Sequence, residues 1–200
     1  MRLLEPLLVN GVRLLTGATP RWLGCDPSHA QRVYFANHAS HLDFLLLYAA
    51  LPPHLRQHVR PVAAADYWNK TSLRRHLMHN VFHGVLLDRQ TWQVNPLEPC
   101  LEALSKGDSL ILFPEGTRGA GESLQPFKPG LAHLAKLKPT VEFIPVWIDN
   151  AYRILPKGFL FPIPLLCSLT FGAPLRWKAD TTIEDFTHQA HAALQQLCPR

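Results

Sequence analysis

An α/β fold built on a mostly parallel central sheet, with helices on both faces, is what this sequence predicts. Two observations point to it. Six short apolar, β-prone runs recur along the chain: VYFAN (33–37), VRPVAAA (59–65), GVLLD (84–88), SLILFP (109–114), FIPVWI (143–148) and CSLTFG (167–172). Helical patterns alternate with them near 41–51, 68–79, 96–106 and 129–137, and a last one closes the chain near 182–197. Strands without polar alternation, bounded by helices, belong to sheets covered on both sides.

The elements carry local signals. Asn95-Pro96-Leu97-Glu98 offers a helix cap, a proline at the first helical position and an acid two residues later, and Gly107 marks the end. Thr181-Thr182-Ile183-Glu184 reads as a capping box for the last helix. Pro145 within FIPVWI predicts an edge or bulge position, because proline cannot donate to a ladder. At the N-terminus, Leu3, Leu4, Leu7, Leu8, Val12, Leu14 and Leu15 fall on one half of a helical wheel, and Arg2, Glu5, Asn10 and Arg13 on the other. Such an amphipathic helix packs on a core or lies in a membrane interface. The 200 residues suit one domain, with 1–30 as the N-terminal amphipathic segment and 31–200 as the core that would carry the chemistry.

Composition narrows the partners. A chain that is 47% hydrophobic and 18% charged is globular. The net charge of +5 favours an anionic partner: nucleic acid, a membrane surface or a phosphorylated substrate. Basic residues concentrate between 54 and 89, where Arg56, Arg60, Lys70, Arg74, Arg75 and Arg89 face only Asp66 and Asp88. No aromatics alternate with these cations and no helix-turn-helix or zinc-finger spacing occurs, which argues against nucleic acid. Cys25, Cys100, Cys167 and Cys198 form no CxxC pair and fit reduced thiols in a cytosolic protein. No signal-peptide pattern and no membrane-spanning run is found; FLLLYAAL (44–51) is too short, and 159–169 contains Pro162 and Pro164.

The chemistry concentrates in NHASHLDF (37–44). If Ser40 caps a helix, Asp43 stands three residues in, and its carboxylate reaches back toward His38. A carboxylate on one imidazole nitrogen fixes the tautomer and frees the other nitrogen to take a proton from a hydroxyl. Two other readings fit the same residues: a plain capping box with an incidental histidine, or a metal site formed by His38, His41 and Asp43. FPEGTR (113–118) follows the most apolar strand, so Glu115, Thr117 and Arg118 project at the carboxyl edge of the sheet, where α/β proteins bind ligands. Gly116 leaves room for a ligand there, and the forked Arg118 guanidinium suits phosphate oxygens. GVLLDR (84–89) ends in Asp88 and Arg89, a surface pair or a second phosphate contact, and IPVWI (144–148) reads as buried strand.

In this order the four segments resemble the glycerolipid acyltransferases, the family of 1-acylglycerol-3-phosphate and related lysophospholipid acyltransferases. NHxSxxD is matched by Asn37, His38, Ser40 and Asp43, GxxxxDR by Gly84, Asp88 and Arg89, and FPEGTR in full. Ile144, Pro145 and Val146 match the short fourth motif, and FKPG (127–130) and FGAPL (171–175) extend the likeness from Val33 to Pro174. The resemblance implies transfer of a fatty acyl group from acyl-CoA or acyl carrier protein to a lysophospholipid hydroxyl, in phospholipid biosynthesis, with no metal and no cofactor beyond that co-substrate. It implies that His38 is the base and that Asp43 orients it. Arg118, Arg89 and Lys128 would hold the acceptor's phosphate, with Glu115, Gly116 and Thr117 shaping that pocket. Attachment would be peripheral, at the cytoplasmic face of the inner membrane. Gly119 stands where many relatives have serine, and Leu86 and Leu87 where Phe and Ile or Val are common. A metal-dependent hydrolase using His38, His41 and Asp43 is the alternative.

Overall fold

The computed structural model describes residues 4–40, 42–88, 95–119, 123–150, 153 and 165–199. Seven strands form one sheet: β1 (Thr19–Trp22), β2 (Arg32–Ala36), β3 (Val59–Ala64), β4 (Val85–Leu87), β5 (Ser109–Leu112), β6 (Glu142–Ile148) and β7 (Ser168–Phe171). Their order is β1-β7-β6-β2-β5-β3-β4. Among the described residues the helices are α1 (Leu4–Thr16), α2 (Asp43–Ala50), α3 (Pro53–Arg56), α4 (Ala65–Trp68), α5 (Ser72–His76), α6 (Glu98–Ser105), α7 (Gly130–Leu137) and α8 (Ile183–Gln195). A π-helical turn, Leu77–Val81, extends α5.

Five adjacent strands, β6 through β4, run parallel; β7 is antiparallel to β6, and β1 is parallel to β7. The alternation of side chains divides the core in two. Tyr34, Ala36, Ile144 and Val146 meet the layer of α1 and α2. Val33, Phe35, Leu110 and Phe143 meet α6, α7 and α8. Phe35 and Phe143 are fully buried, and a side chain of that size contributes about 1.5–3 kcal/mol by leaving water.

Every apolar run contains a strand, but β1 is additional. TPRW carries a proline and an arginine, so no apolar pattern announces it; as an edge strand it needs none. It is held by pairing with β7 and by Trp22 stacking on Phe171, ring centroids 3.9 Å apart. Pro145 is not at an edge, since β6 lies between β7 and β2. It does sit at a bulge: Val146 pairs with Phe171, whereas Phe143, three residues earlier, pairs with Leu175, four residues on. The Pro145 carbonyl there accepts from the Gly172 N–H at 2.9 Å.

Helix starts differ from the local signals by one to three residues. The first turn of α2 begins at Asp43, and the Ser40 hydroxyl accepts from the Leu42 N–H instead of capping at its own position. The patterning near 68–79 divides into the end of α4, α5 and the π turn. The Asn95 side chain accepts from the Leu97 N–H, and α6 starts at Glu98. The last helix uses Thr182 and Asp185 for its box, one residue beyond Thr181 and Glu184. TTIED permits both registers, and the hydroxyl one residue later is the one that aligns with the helix.

The N-terminal helix buries only part of its leucine-rich face. Val9 and Val12 are buried against α2, yet Leu7 is 68% and Leu14 88% exposed. Leu3 lies outside the described residues. Among the described residues, no helix is long and apolar enough to cross a membrane. The strands β2, β3, β5 and β6 all end on one edge of the sheet, and the loops of that edge carry the motifs.

Candidate active site

At the end of β2 the side chain of Asn37 continues the sheet. Its Nδ2 donates to the Ile148 carbonyl at 3.0 Å, and its Oδ1 accepts from the Ile148 N–H at 2.7 Å. A side-chain amide thus stands in for a peptide group, while the main chain turns away and presents His38.

Three donors then converge on one oxygen. Asp43 Oδ2 accepts from His38 Nδ1 at 2.8 Å, from the Ala39 N–H at 2.7 Å and from the Ser40 N–H at 2.8 Å. Asp43 is fully buried and begins α2, where the aligned peptide dipoles favour negative charge. A carboxylate can only accept, so the proton of this contact sits on Nδ1, and in the neutral imidazole the lone pair is then on Nε2. The other oxygen, Oδ1, is buried without a hydrogen-bond partner. The His38 ring stacks on Phe113, centroids 4.4 Å apart and planes at 21°, and its side chain is 23% exposed. One face is fixed and one edge is open.

FPEGTR grips the same residue from the other side. Gly116 adopts φ 71°, and its N–H donates to the Phe113 carbonyl at 3.0 Å. A Cβ at this position would lie 2.8 Å from Lys128 Cε, so the lysine stem occupies the space that glycine leaves. Glu115 is buried, and both of its oxygens are engaged: Oε1 accepts from the His38 N–H at 2.6 Å and Oε2 from the Gln125 N–H at 2.9 Å. Burial pushes its carboxyl up from the ordinary range, and the two backbone donors pull it back. The Gly119 N–H donates to the His38 carbonyl at 2.8 Å. Both ends of the His38 main-chain unit are therefore held by residues 115–119.

A cleft of about 690 Å³ opens beside this pair. Toward solvent it is lined by His38, Gly116, Thr117, Arg118 and Lys128; inward it is lined by apolar side chains, including Met78, Cys100, Leu131 and Leu134. Burial pushes the Cys100 thiol up to about 12, so it is a neutral wall group. The cleft therefore joins a charged rim, with Arg118, Lys128 and the exposed Asp66, to an apolar interior.

His38, Gly116, Thr117, Arg118 and Lys128 line one cleft, although the sequence separates them by up to 90 residues (128 − 38). Asp43 and Glu115 stand behind it. Glu115 is not among the residues that line the cleft; both of its oxygens accept from main-chain N–H groups, so its influence on the pocket runs through the backbone of residues 38 and 125. Arg89 and His41 lie outside the described residues. Gly84 is explained by packing, since a Cβ there would come 2.0 Å from Met78 Sδ. Asn37, Phe113 and Gln125 were given no individual role by sequence reasoning. Gln125 acts through its main-chain N–H, which leaves no trace in residue identity.

Replacing Glu115 by glutamine puts an NH2 where one of the two N–H donors needs an acceptor, a loss worth about 1–3 kcal/mol. The expected result is a lower Tm and a lower kcat with the acceptor's KM unchanged. A rise in that KM alone would instead mean direct contact with the acceptor.

The structure thus holds a histidine bonded to a buried carboxylate, at the carboxyl edge of a parallel sheet and beside a cleft with a charged rim and an apolar interior. Residues 26–149 match the model of the family described as Acyltransferase, and the chain belongs to that family, the glycerolipid acyltransferases. It is 25% identical over 178 residues to the 1-acyl-sn-glycerol-3-phosphate acyltransferase of Limnanthes alba, covering 84% of this chain and 59% of that one. To the protein of the same name from Helicobacter pylori strain J99 it is 29% identical over 151 residues, 70% of this chain and 57% of that one. The chain thus spans somewhat more than half the length of these relatives. The crystal structure of the 1-acyl-sn-glycerophosphate (LPA) acyltransferase PlsC from Thermotoga maritima shares the fold, with a TM-score of 0.75 and 22% identity over 96% of this chain and 76% of that one.

Proposed function

We propose that this protein is an O-acyltransferase that moves a fatty acyl group from a thioester to the hydroxyl of a lysophospholipid such as 1-acylglycerol-3-phosphate. The observation that carries this reading is the His38–Asp43 pair beside a cleft whose rim presents Arg118 and Lys128 and whose interior is apolar. His38 Nε2 takes the acceptor's hydroxyl proton as its oxygen attacks the thioester carbonyl. The carbon–sulfur bond then breaks, and the leaving thiolate takes the proton back from the imidazolium, which Asp43 stabilises meanwhile. A thioester is already activated; a positioned base, worth about 10²–10⁴-fold, and alignment of the two substrates supply rate, and the tetrahedral oxyanion requires hydrogen-bond donors as well.

Arg118 and Lys128, with Arg89, hold the acceptor's phosphate, and Gly116 and Thr117 line that subsite. The apolar interior receives the acyl chain. Thioesters of coenzyme A and of acyl carrier protein both suit this chemistry. The exposed leucines of α1 support peripheral attachment at the cytoplasmic face of a membrane. A metal-dependent hydrolase built on His38, His41 and Asp43 predicts loss of activity on chelation, which the acyltransferase reading does not.

The test is thiol release from palmitoyl-coenzyme A with and without lysophosphatidic acid. Release that requires the acceptor supports the reading, and release without it points to a hydrolase. Arg118→Ala is expected to raise the acceptor's KM at least tenfold and to leave the donor's KM within about twofold, as loss of one charged contact to phosphate predicts. A purely donor-side effect would overturn the phosphate assignment.

A further inference from the structure

We propose that α5 and the residues leading into it form a docking surface for an acidic carrier protein that presents the acyl thioester. The proposal rests on the acyltransferase reading and names the carrier of its donor. Three of the basic residues between 54 and 89 have other settings or lie outside the described residues. Arg60 pairs with Asp108 at 2.9 Å, Arg56 is buried with Glu5 at 3.8 Å, and Arg89 is among the residues not described. Lys70, Arg74 and Arg75 remain on one short segment, and among the described residues none of them is paired with a carboxylate.

Two of these cations are held ready. The Arg74 guanidinium lies over the Tyr67 ring, 4.4 Å from its centroid, and Arg75 Nη2 donates to the Asn69 carbonyl at 3.0 Å. Between them and Lys70 stands Leu73, 66% exposed. An exposed apolar residue on one short segment with three cations that pair with no carboxylate among the described residues is the anatomy of a protein-binding patch for an acidic partner. The phosphates of a nucleotide would engage the cations but would have no use for the leucine.

Its position fits a donor's carrier. Asp66, Tyr67 and Trp68 of α4 line the cleft, and α5 begins four residues after Trp68. A fatty chain filling the apolar interior leaves its thioester at His38 and its carrier outside the rim, beside α5. A bilayer has other apolar side chains to meet: α1, with Leu7 and Leu14 exposed, ends beside β7, where the Thr16 carbonyl accepts from the Cys167 N–H, whereas α5 leads into β4 at the opposite edge of the sheet. Leu166, 82% exposed, extends the α1 patch, since it lies 3.2 Å from a Cβ built on Gly17.

The test is a titration of fluorescently labelled palmitoyl-acyl carrier protein with the full chain, with Lys70→Glu/Arg75→Glu and with Leu73→Ser. The parent is expected to bind, more weakly as salt rises, the double variant at least tenfold more weakly, and Leu73→Ser also more weakly. Turnover of palmitoyl-coenzyme A by the double variant should match the parent, which also shows that it folds. No binding by the parent, or equal binding by the double variant, overturns the proposal. So does a double variant that keeps carrier binding but loses adsorption to phosphatidylglycerol vesicles, which would assign the surface to the membrane. Acceptor-dependent turnover of palmitoyl-coenzyme A by the parent tests the acyltransferase reading separately. Carrier binding that is lost in the double variant supports the docking surface even where that turnover fails.

Discussion

His38→Ala is expected to remove acceptor-dependent thiol release while leaving the fold intact. Without the imidazole no group at that position takes the hydroxyl proton, and the loss should reach about 10²–10⁴-fold in kcat. The ring is partly exposed and lies at a loop beside Phe113, so its removal uncovers little core. The main-chain N–H and carbonyl of residue 38 keep their bonds to Glu115 and Gly119. Kinetics and thermal unfolding of the same sample decide the matter. Turnover within tenfold of the parent would remove His38 from the mechanism.

Asp43→Asn should combine a kinetic and a stability loss. If the new oxygen keeps the Oδ2 position, the NH2 occupies the Oδ1 position, which is buried and has no partner. If the amide turns over, the NH2 opposes three N–H donors. Either arrangement leaves buried donors unsatisfied, at about 1–3 kcal/mol. The negative charge that stabilises the imidazolium is lost as well, so kcat should fall, though less completely than in His38→Ala. A variant as stable and as active as the parent would show that the 2.8 Å contact has no part in orienting the base.

Much of this was legible in the sequence, because it depends on short-range chemistry. The apolar runs found their strands, and the reach of Asp43 back to His38 follows from the geometry of a helix start. What could not be read depends on long-range placement. The strand β1 has no pattern of its own and exists through its partner β7. Glu115 looks like a ligand-facing acid after a turn, but its role is set by main-chain groups 77 residues before it and 10 after it in the chain. The wall of the cleft gathers Met78, Cys100 and Leu134 from three separate helical segments, and each alone reads as ordinary core.

The bridge made by Asn37 has a consequence for how loss-of-function variants are interpreted. Asparagine satisfies Ile148 with a donor and an acceptor at the reach of one methylene; aspartate would set an oxygen against the Ile148 carbonyl, and leucine would leave both groups empty. A change there would move the adjoining imidazole without removing it, so a turnover screen alone would list position 37 beside His38. Only the folding measurement would separate a carpenter's joint from a tool.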